Sequence, residues 1–268
     1  MAQGIVTDML EGELGLDVLA LGEVDPAHVD ALLARLSDPN RFGRSVEEKR
    51  RMVVLYDTSS VEFINDSEII TIVQGKVVIA GKYLVLVSGG IRIHLVAVHW
   101  PSHWIDELSE SQRLKCGNKV QDLLYELNQA VDSPVFVVLG DFNDEPFAPS
   151  MTRCMQGSRD RRAVQRNSDL LYNPFWRWLG ERTLFEDRLE PLGAGTHFWD
   201  RVPLTSWYTF DQALVSSATL RESGWTLVEG ETRVLPVPRL LTPTGRMRAG
   251  FDHLPIVLTL QHVEPGSP

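Results

Sequence analysis

The chain has 268 residues, enough for one large α/β domain with a sizeable core, and its 43% hydrophobic and 23% charged residues are ordinary for a soluble globular protein. A net charge of −10 excludes a passive nucleic-acid coat, which needs a basic surface, but not an enzyme that meets phosphate through a bound cation. Two cysteines, Cys116 and Cys154, cannot build a disulfide framework, the acidic start MAQGIVTDMLEGELGLD is no secretory signal, and no apolar run reaches the ~20 residues of a membrane span, so the cytoplasm is the expected compartment. Taken in chain order, Ile5, Met9 and Leu10 recur at helical spacing and predict a first helix. LDVLAL (16–21) reads as a buried strand ending at Gly22-Glu23. PAHVDALLARL (26–36) puts Val29, Leu32, Leu33 and Leu36 on one helical stripe with Pro26 in the first turn. Short strands follow at 52–56, 61–64, KVVIA, KYLVLVS and 91–99, with Gly89-Gly90 as a hairpin signal. A long helix over about 105–131 carries Cys116, Val120, Leu123, Leu124 and Leu127. VFVVL (135–139) is the next strand. LLYNPFWRWLG predicts an aromatic helix, and the tail returns to strands at 206–216, GWTLVEG and 254–261. With no repeat, low-complexity tract or long linker, residues 1–268 read as one α/β domain with mixed sheets.

Five apolar runs end in, or are interrupted by, a polar group that a core would not choose. They give Glu23, His99, the pair Asp141 and Asn143, Asp211, and the pair Asp252 and His253. Each has an ordinary explanation: an early-turn acid for Glu23, a core histidine for His99, a turn at Asp141 and Asn143, a strand start at Asp252. Asp211, among Tyr208, Phe210, Ala213 and Leu214, needs a partner. Five such coincidences together are a weaker account than one site at the strand ends, where α/β proteins hold their chemistry. In an extended segment Asp141 and Asn143 share a face. The carboxylate can position or deprotonate water, and the amide can hold a phosphoryl oxygen. Glu23 is a hard oxygen ligand for Mg²⁺, and His253 beside an aspartate can donate to developing charge. That is equipment for metal-assisted hydrolysis of a phosphate ester.

The pattern resembles the deoxyribonuclease-like endonuclease/exonuclease/phosphatase superfamily from about residue 16 to 261. DVLALGEV is similar to its metal-glutamate strand, VAVHWPS to its phosphate-contacting histidine strand, YTFDQALVS to the strand whose aspartate orients the catalytic histidine, and FDHLPIVLTL to its closing motif. VVLGDFND is the most specific match. The resemblance implies a four-layer α/β sandwich of two mixed β-sheets flanked by helices. It implies a divalent-metal-dependent phosphoesterase with in-line attack by water held at Asp141, Mg²⁺ or Mn²⁺ at Glu23 and Asp252, and Asn143, His99 and His253 stabilising the pentavalent phosphorus, with Asp211 orienting His253. The family normally opens with a strand carrying an asparagine; that strand is missing before the first helix here, and a segment of roughly ten residues upstream of Met1 is the expectation.

Substrate signals are fewer. Trp100 and Trp104, past His99, read either as packing for the long helix or as a stacking platform for a base. RDRRAVQR (159–166) reads as a solvated face or as a phosphate-following patch. DNA or RNA is the expected substrate. A phosphatase or phosphodiesterase acting on a small molecule or lipid headgroup, or a catalytically weakened binding module, are the alternatives. Neither a membrane nor an obligate protein partner is expected.

Overall fold

Val53, Val54 and Leu55 are all fully buried, so the strand that carries them has no face for water and must be covered on both sides. Val53 and Leu55 pack with Leu10, Val29, Leu32 and Leu33, while Val54 faces Leu84, Leu95, Ala97 and Val137. Helices thus lie on one side of this strand and a second sheet on the other. The computed structural model describes residues 2–12, 14–45, 52–102, 109–180, 195–201, 205–235, 237–243, 245–264 and 266.

The large sheet has the order β4 (Glu62–Val73), β5 (Lys76–Ser88), β6 (Ile91–His99), β7 (Val135–Asp141), β12 (Asp211–Val215), β9 (Leu171–Tyr172) and β8 (Gly157–Ser158). It is mixed: β6 runs parallel to β7, and β8 to β9, while the other pairs are antiparallel. Its strands alternate between two cores. Val96, Val98, Phe136 and Val138 meet Cys116, Val120 and Leu124 of α3 (Ser109–Ala130), and Leu95, Ala97 and Val137 meet the second layer. Full burial of such side chains is worth roughly 1.5–3 kcal/mol each.

The second layer is built from pieces. β1 (Val18–Leu21) pairs with β3 (Val53–Asp57), which pairs with β2 (Phe42–Arg44). β13 (Gly224–Leu227) pairs with β16 (Leu260–Val263), and β14 (Arg233–Val234) with β15 (Ile256–Val257). A ribbon of β10 (His197–Phe198) and β11 (Trp207–Tyr208) completes the strands. α1 (Ala2–Glu11) and α2 (Pro26–Leu33) cover the outside of the β1–β3–β2 sheet, giving the expected four-layer α/β arrangement. The second layer is not one continuous ladder: among the described residues β1 has a partner on one edge only, and its apolar side chains are half-buried.

Some local expectations are corrected. β4 does not stop at 64 but continues through Asn65-Asp66-Ser67-Glu68 as an edge strand. KVVIA and KYLVLVS are one strand, because Gly81 marks a bulge rather than a turn; a Cβ there would stand 2.7 Å from Val96 Cγ1. The aromatic segment is a two-residue strand and a short 3₁₀ turn, Pro174–Trp178. Asn173 caps it by accepting from Phe175 N–H, and it ends before Gly180. The 206–216 and 254–261 runs each break into two short strands. Cys116 and Cys154 are free thiols. No described helix is long and apolar enough to cross a membrane.

Candidate active site

Strand register alone brings three of the site residues together. β6 pairs with β7 so that His99 stands opposite Asp141, and β7 pairs with β12 so that Asp141 stands opposite Asp211. Adjacent strands are spaced by roughly 4.8 Å, so the three form a row across one end of the sheet. Gly140, just before Asp141, has φ 133°, and a Cβ there would meet Val98 O at 2.1 Å. Only glycine lets the two strands approach so closely at the rim. This is why the apolar run VFVVL ends at glycine before its carboxylates begin.

The acids of GDFNDE then go separate ways. Asp141 accepts from Asn143 N–H at 2.8 Å in an Asx turn and from Asn143 Nδ2 at 2.8 Å. Asn143 adopts φ 50°, is buried, and also donates from Nδ2 to Trp100 O at 2.9 Å. The segment is therefore not extended, and the amide hydrogens of Asn143 orient Asp141 instead of facing outward. This corrects the expectation of a free donor for phosphate. Asp144 is internal: it pairs with buried Arg113 Nε of α3 at 2.9 Å and accepts from Ser150 Oγ at 2.5 Å. Glu145 accepts from Thr209 N–H.

His253 arrives from the second layer. Its Nδ1 lies 2.7 Å from Asp211 Oδ2, which assigns that nitrogen as the donor and leaves Nε2 for other work. Burial opposes a charge on His253, but the carboxylates of Asp211, Asp141 and Asp252 outweigh it and raise its pKa to about 10. Asp141 is raised to about 7, by burial first and by the charge of Asp211 second, with His253 and the Asn143 N–H pulling it back. At neutral pH the site therefore holds a charged imidazole beside a carboxyl poised to gain or lose a proton.

Glu23 lies across from this row, its Oε1 3.7 Å from His99 Nε2, which is also 3.7 Å from Asp141 Oδ2. Glu23 is not an acid of the first turn of α2, because that helix starts at Pro26 with Asp25 as its N-cap, two residues further on. Glu23 instead takes φ 55°, a conformation uncommon outside glycine, and its side chain is 78% exposed. Trp100 is not a stacking platform. It is 1% exposed, donates from Nε1 to Ala80 O at 2.7 Å and packs edge-on against Phe142 beneath the site. Trp104 lies outside the described residues. The basic stretch becomes α4 (Arg161–Arg166) with a short lead-in; Arg161 binds Glu229 and Leu220 O, and Arg177 binds Glu229 as well, so part of its charge is used internally.

Sequence reasoning missed the strap GTH at 195–197. Thr196 accepts from Asp211 N–H through Oγ1 at 2.8 Å and from Leu254 N–H through its carbonyl at 2.7 Å, tying the aspartate strand to the histidine strand. Gly195 has φ 130°, and a Cβ there would meet Tyr208 O at 2.5 Å. His197 bridges to His253, with ring centroids 4.5 Å apart; burial first and the neighbouring His253 charge second lower its pKa to about 4. The signal was a Gly-Thr-His triplet leading into aromatics, which carries no periodicity. Among the described residues, two groups could hold a metal ion by proximity: Asp141 with Asp211 and His253, and His197 with Asp252 and His253. Glu23 joins neither.

A model of the endonuclease/exonuclease/phosphatase family matches residues 43–251. The chain belongs to this family. Members of the endonuclease/exonuclease/phosphatase family are phosphoesterase hydrolases, nucleases or phosphatases, and are generally divalent-metal dependent. No curated protein matches the sequence. Among solved structures, the human Nocturnin catalytic domain with bound sulfate is similar at 17% identity and TM-score 0.59, over 97% of this chain and 85% of that one. D. rerio TDP2 complexed with a single-strand DNA product is similar at 17% identity and TM-score 0.58, over 97% and 91%. A mannosyl-6-phosphatase of Bacteroides thetaiotaomicron is similar at 13% identity and TM-score 0.59, over 97% and 90%. At these identities the likeness is one of fold.

Proposed function

We propose that the chain is a divalent-metal-dependent phosphoesterase that hydrolyses nucleic-acid phosphodiesters by in-line attack of water. The observation that carries this reading is the row His99–Asp141–Asp211 with His253 bonded to Asp211. Asp141, its carboxyl tuned to about 7 and pinned by Asn143, takes the proton of the attacking water. His253, charged and fixed by Asp211, donates from Nε2 to the oxygen that gains charge. His99, between Glu23 and Asp141, adds a second donor at the phosphoryl group. Glu23 and Asp252 offer oxygen donors that suit a hard cation, and they are the residues that would hold Mg²⁺ or Mn²⁺. When bound, the ion neutralises charge on the phosphoryl oxygens.

A small-molecule phosphate ester is the second reading. The burial of Trp100 favours it, since it removes one platform for a base, and the solved relatives include a sugar phosphatase. The test sets plasmid, single-stranded DNA, RNA, a bis-aryl phosphodiester and hexose phosphates side by side with Mg²⁺ or Mn²⁺. Hydrolysis lost in chelator, rising through about pH 7 as Asp141 ionises and falling through about pH 10 as His253 deprotonates, is the expected result. Full turnover in chelator overturns the metal role, and cleavage of hexose phosphates alone selects the second reading.

A further inference from the structure

The ligand atoms of His197, Asp252 and His253 lie within 4.8 Å of one another. A tetrahedral ion with ligands at about 2.1 Å brings its donors to roughly 3.4 Å, so modest side-chain rotation closes the group onto one ion. The donor set shares Asp252 with the oxygen site proposed above, but sets two imidazoles where that site has Glu23. Two imidazoles and one carboxylate suit Zn²⁺ or another transition-metal dication, whereas Mg²⁺ prefers oxygen.

Three further observations point to a ligand here. His253 already makes the contact that orients metal-bound histidines, with Nδ1 2.7 Å from the carboxylate of Asp211 and Nε2 left over. His197 is only 7% exposed, and its Nδ1 is buried with no hydrogen-bond partner among the described residues. An unsatisfied buried nitrogen is costly, and a ligand would satisfy it. Finally, the donors stand on paired backbone. Phe198 N–H donates to Asp252 O and Leu254 N–H to Thr196 O, each at 2.7 Å, on either side of the His197–His253 bridge. The ring of His197 is also stacked on Phe210, with centroids 5.0 Å apart.

We propose that His197, Asp252 and His253 form a transition-metal site, and that a Zn²⁺ ion bound there silences hydrolysis. Binding forms bonds from the metal to one imidazole nitrogen of each histidine and to an Asp252 oxygen, and it releases the Nε2 proton of His253 to solvent. The inhibitory half rests on the function proposed above, because it takes both the His253 nitrogen that serves the substrate and the Asp252 oxygen assigned there to Mg²⁺ or Mn²⁺. The binding half does not.

Titration of the purified chain with Co²⁺, followed by its visible absorption, tests binding, and calorimetry with Zn²⁺ gives the stoichiometry. One ion per chain is expected, with affinity unchanged in Glu23→Gln and at least about tenfold weaker in His197→Phe and His197→Asn. The phenylalanine variant keeps a ring against Phe210 and removes both nitrogens, and a thermal melt shows that each variant is folded. In an assay with millimolar Mg²⁺, Zn²⁺ inhibits the wild type, and the same two variants shift the inhibition curve by the same factor. Absence of Co²⁺ bands, binding indifferent to both His197 substitutions, or loss of binding in Glu23→Gln overturns the site. If no phosphate ester is cleaved but Co²⁺ binds as described, the functional reading fails and the metal site stands.

Discussion

The two halves of the site are held by different means. His99, Asp141 and Asp211 sit on three neighbouring strands of one long ladder, and their relative heights follow from register. Glu23, Asp252 and His253 come from the second layer, where the strands are two to five residues long and fall into separate sheets. A ladder places side chains by many hydrogen bonds at once, so one substitution moves little. Short pieces depend on individual contacts: the Thr196 strap, the Asp211–His253 bond, the left-handed turn at Glu23. The difference predicts where the molecule is robust and where it is adjustable.

The largest effect tests the chemistry that spans both halves. Asp141→Ala and His253→Ala should each lower turnover by roughly 10²–10⁴-fold, with melting temperatures unchanged or raised, because both face a site that trades stability for function. Wild-type turnover in either purified variant breaks the mechanism. Next comes the anchoring of the ladder half. Arg113→Met leaves the buried carboxylate of Asp144 without its ion-pair partner, at a cost of about 3–5 kcal/mol, so the melt should fall by roughly 10 °C. A melt within a degree or two of wild type would show that Asp144 is satisfied without Arg113.

A smaller effect probes the second layer. Among the described residues β1 has a partner on one edge only, and its apolar side chains are half-buried. A segment of about ten residues appended upstream, β-rich and carrying an asparagine, should pair there, raise the melting temperature by several degrees and raise turnover. Equal melts and equal turnover for both forms would show that the open edge is tolerated. The smallest effect concerns Asp141 alone. Its folded pKa of about 7 lies above the ordinary 3.8, so the folded state binds that proton more tightly. The stability it lends is present below about pH 4 and is lost as pH rises towards 7. Asp141→Asn should therefore melt a few degrees above wild type at pH 8 in chelator and level with it at pH 4. The opposite ordering would mean that Asp141 is ionised at low cost.

Much of the ladder half was legible because its strands run in unbroken apolar stretches. IRIHLVAVH matches the observed strand residue for residue, and VFVVL lacks only its last two. The second layer was less so. Two-residue strands carry no period, and the tail fragments at Thr209-Phe210 and at Leu258-Thr259. The side-chain direction expected of Asn143 was not legible, since i and i+2 share a face only if the backbone stays extended, and the Asx turn bends it. Trp100 was ambiguous because burial is decided by Ala80 and Phe142, far away in sequence or behind a turn. Thr196 and His197 gave no signal, as their meaning lies in the strands they tie.

The parallel pairing of β6 with β7 also makes the site a product of distant parts of the chain. Parallel neighbours need a crossover, and here the segment carrying α3 is that crossover, with α3 packed on the face of the strands it joins. Asp141 and Asp211 meet across 70 residues of chain, and Asp211 and His253 across 42. Contacts of such separation form late, after loop-closure entropy has been overcome. No nascent fragment that stops short of residue 253 can hold the Asp211–His253 pair. In refolding, the return of turnover should trail the return of helical signal.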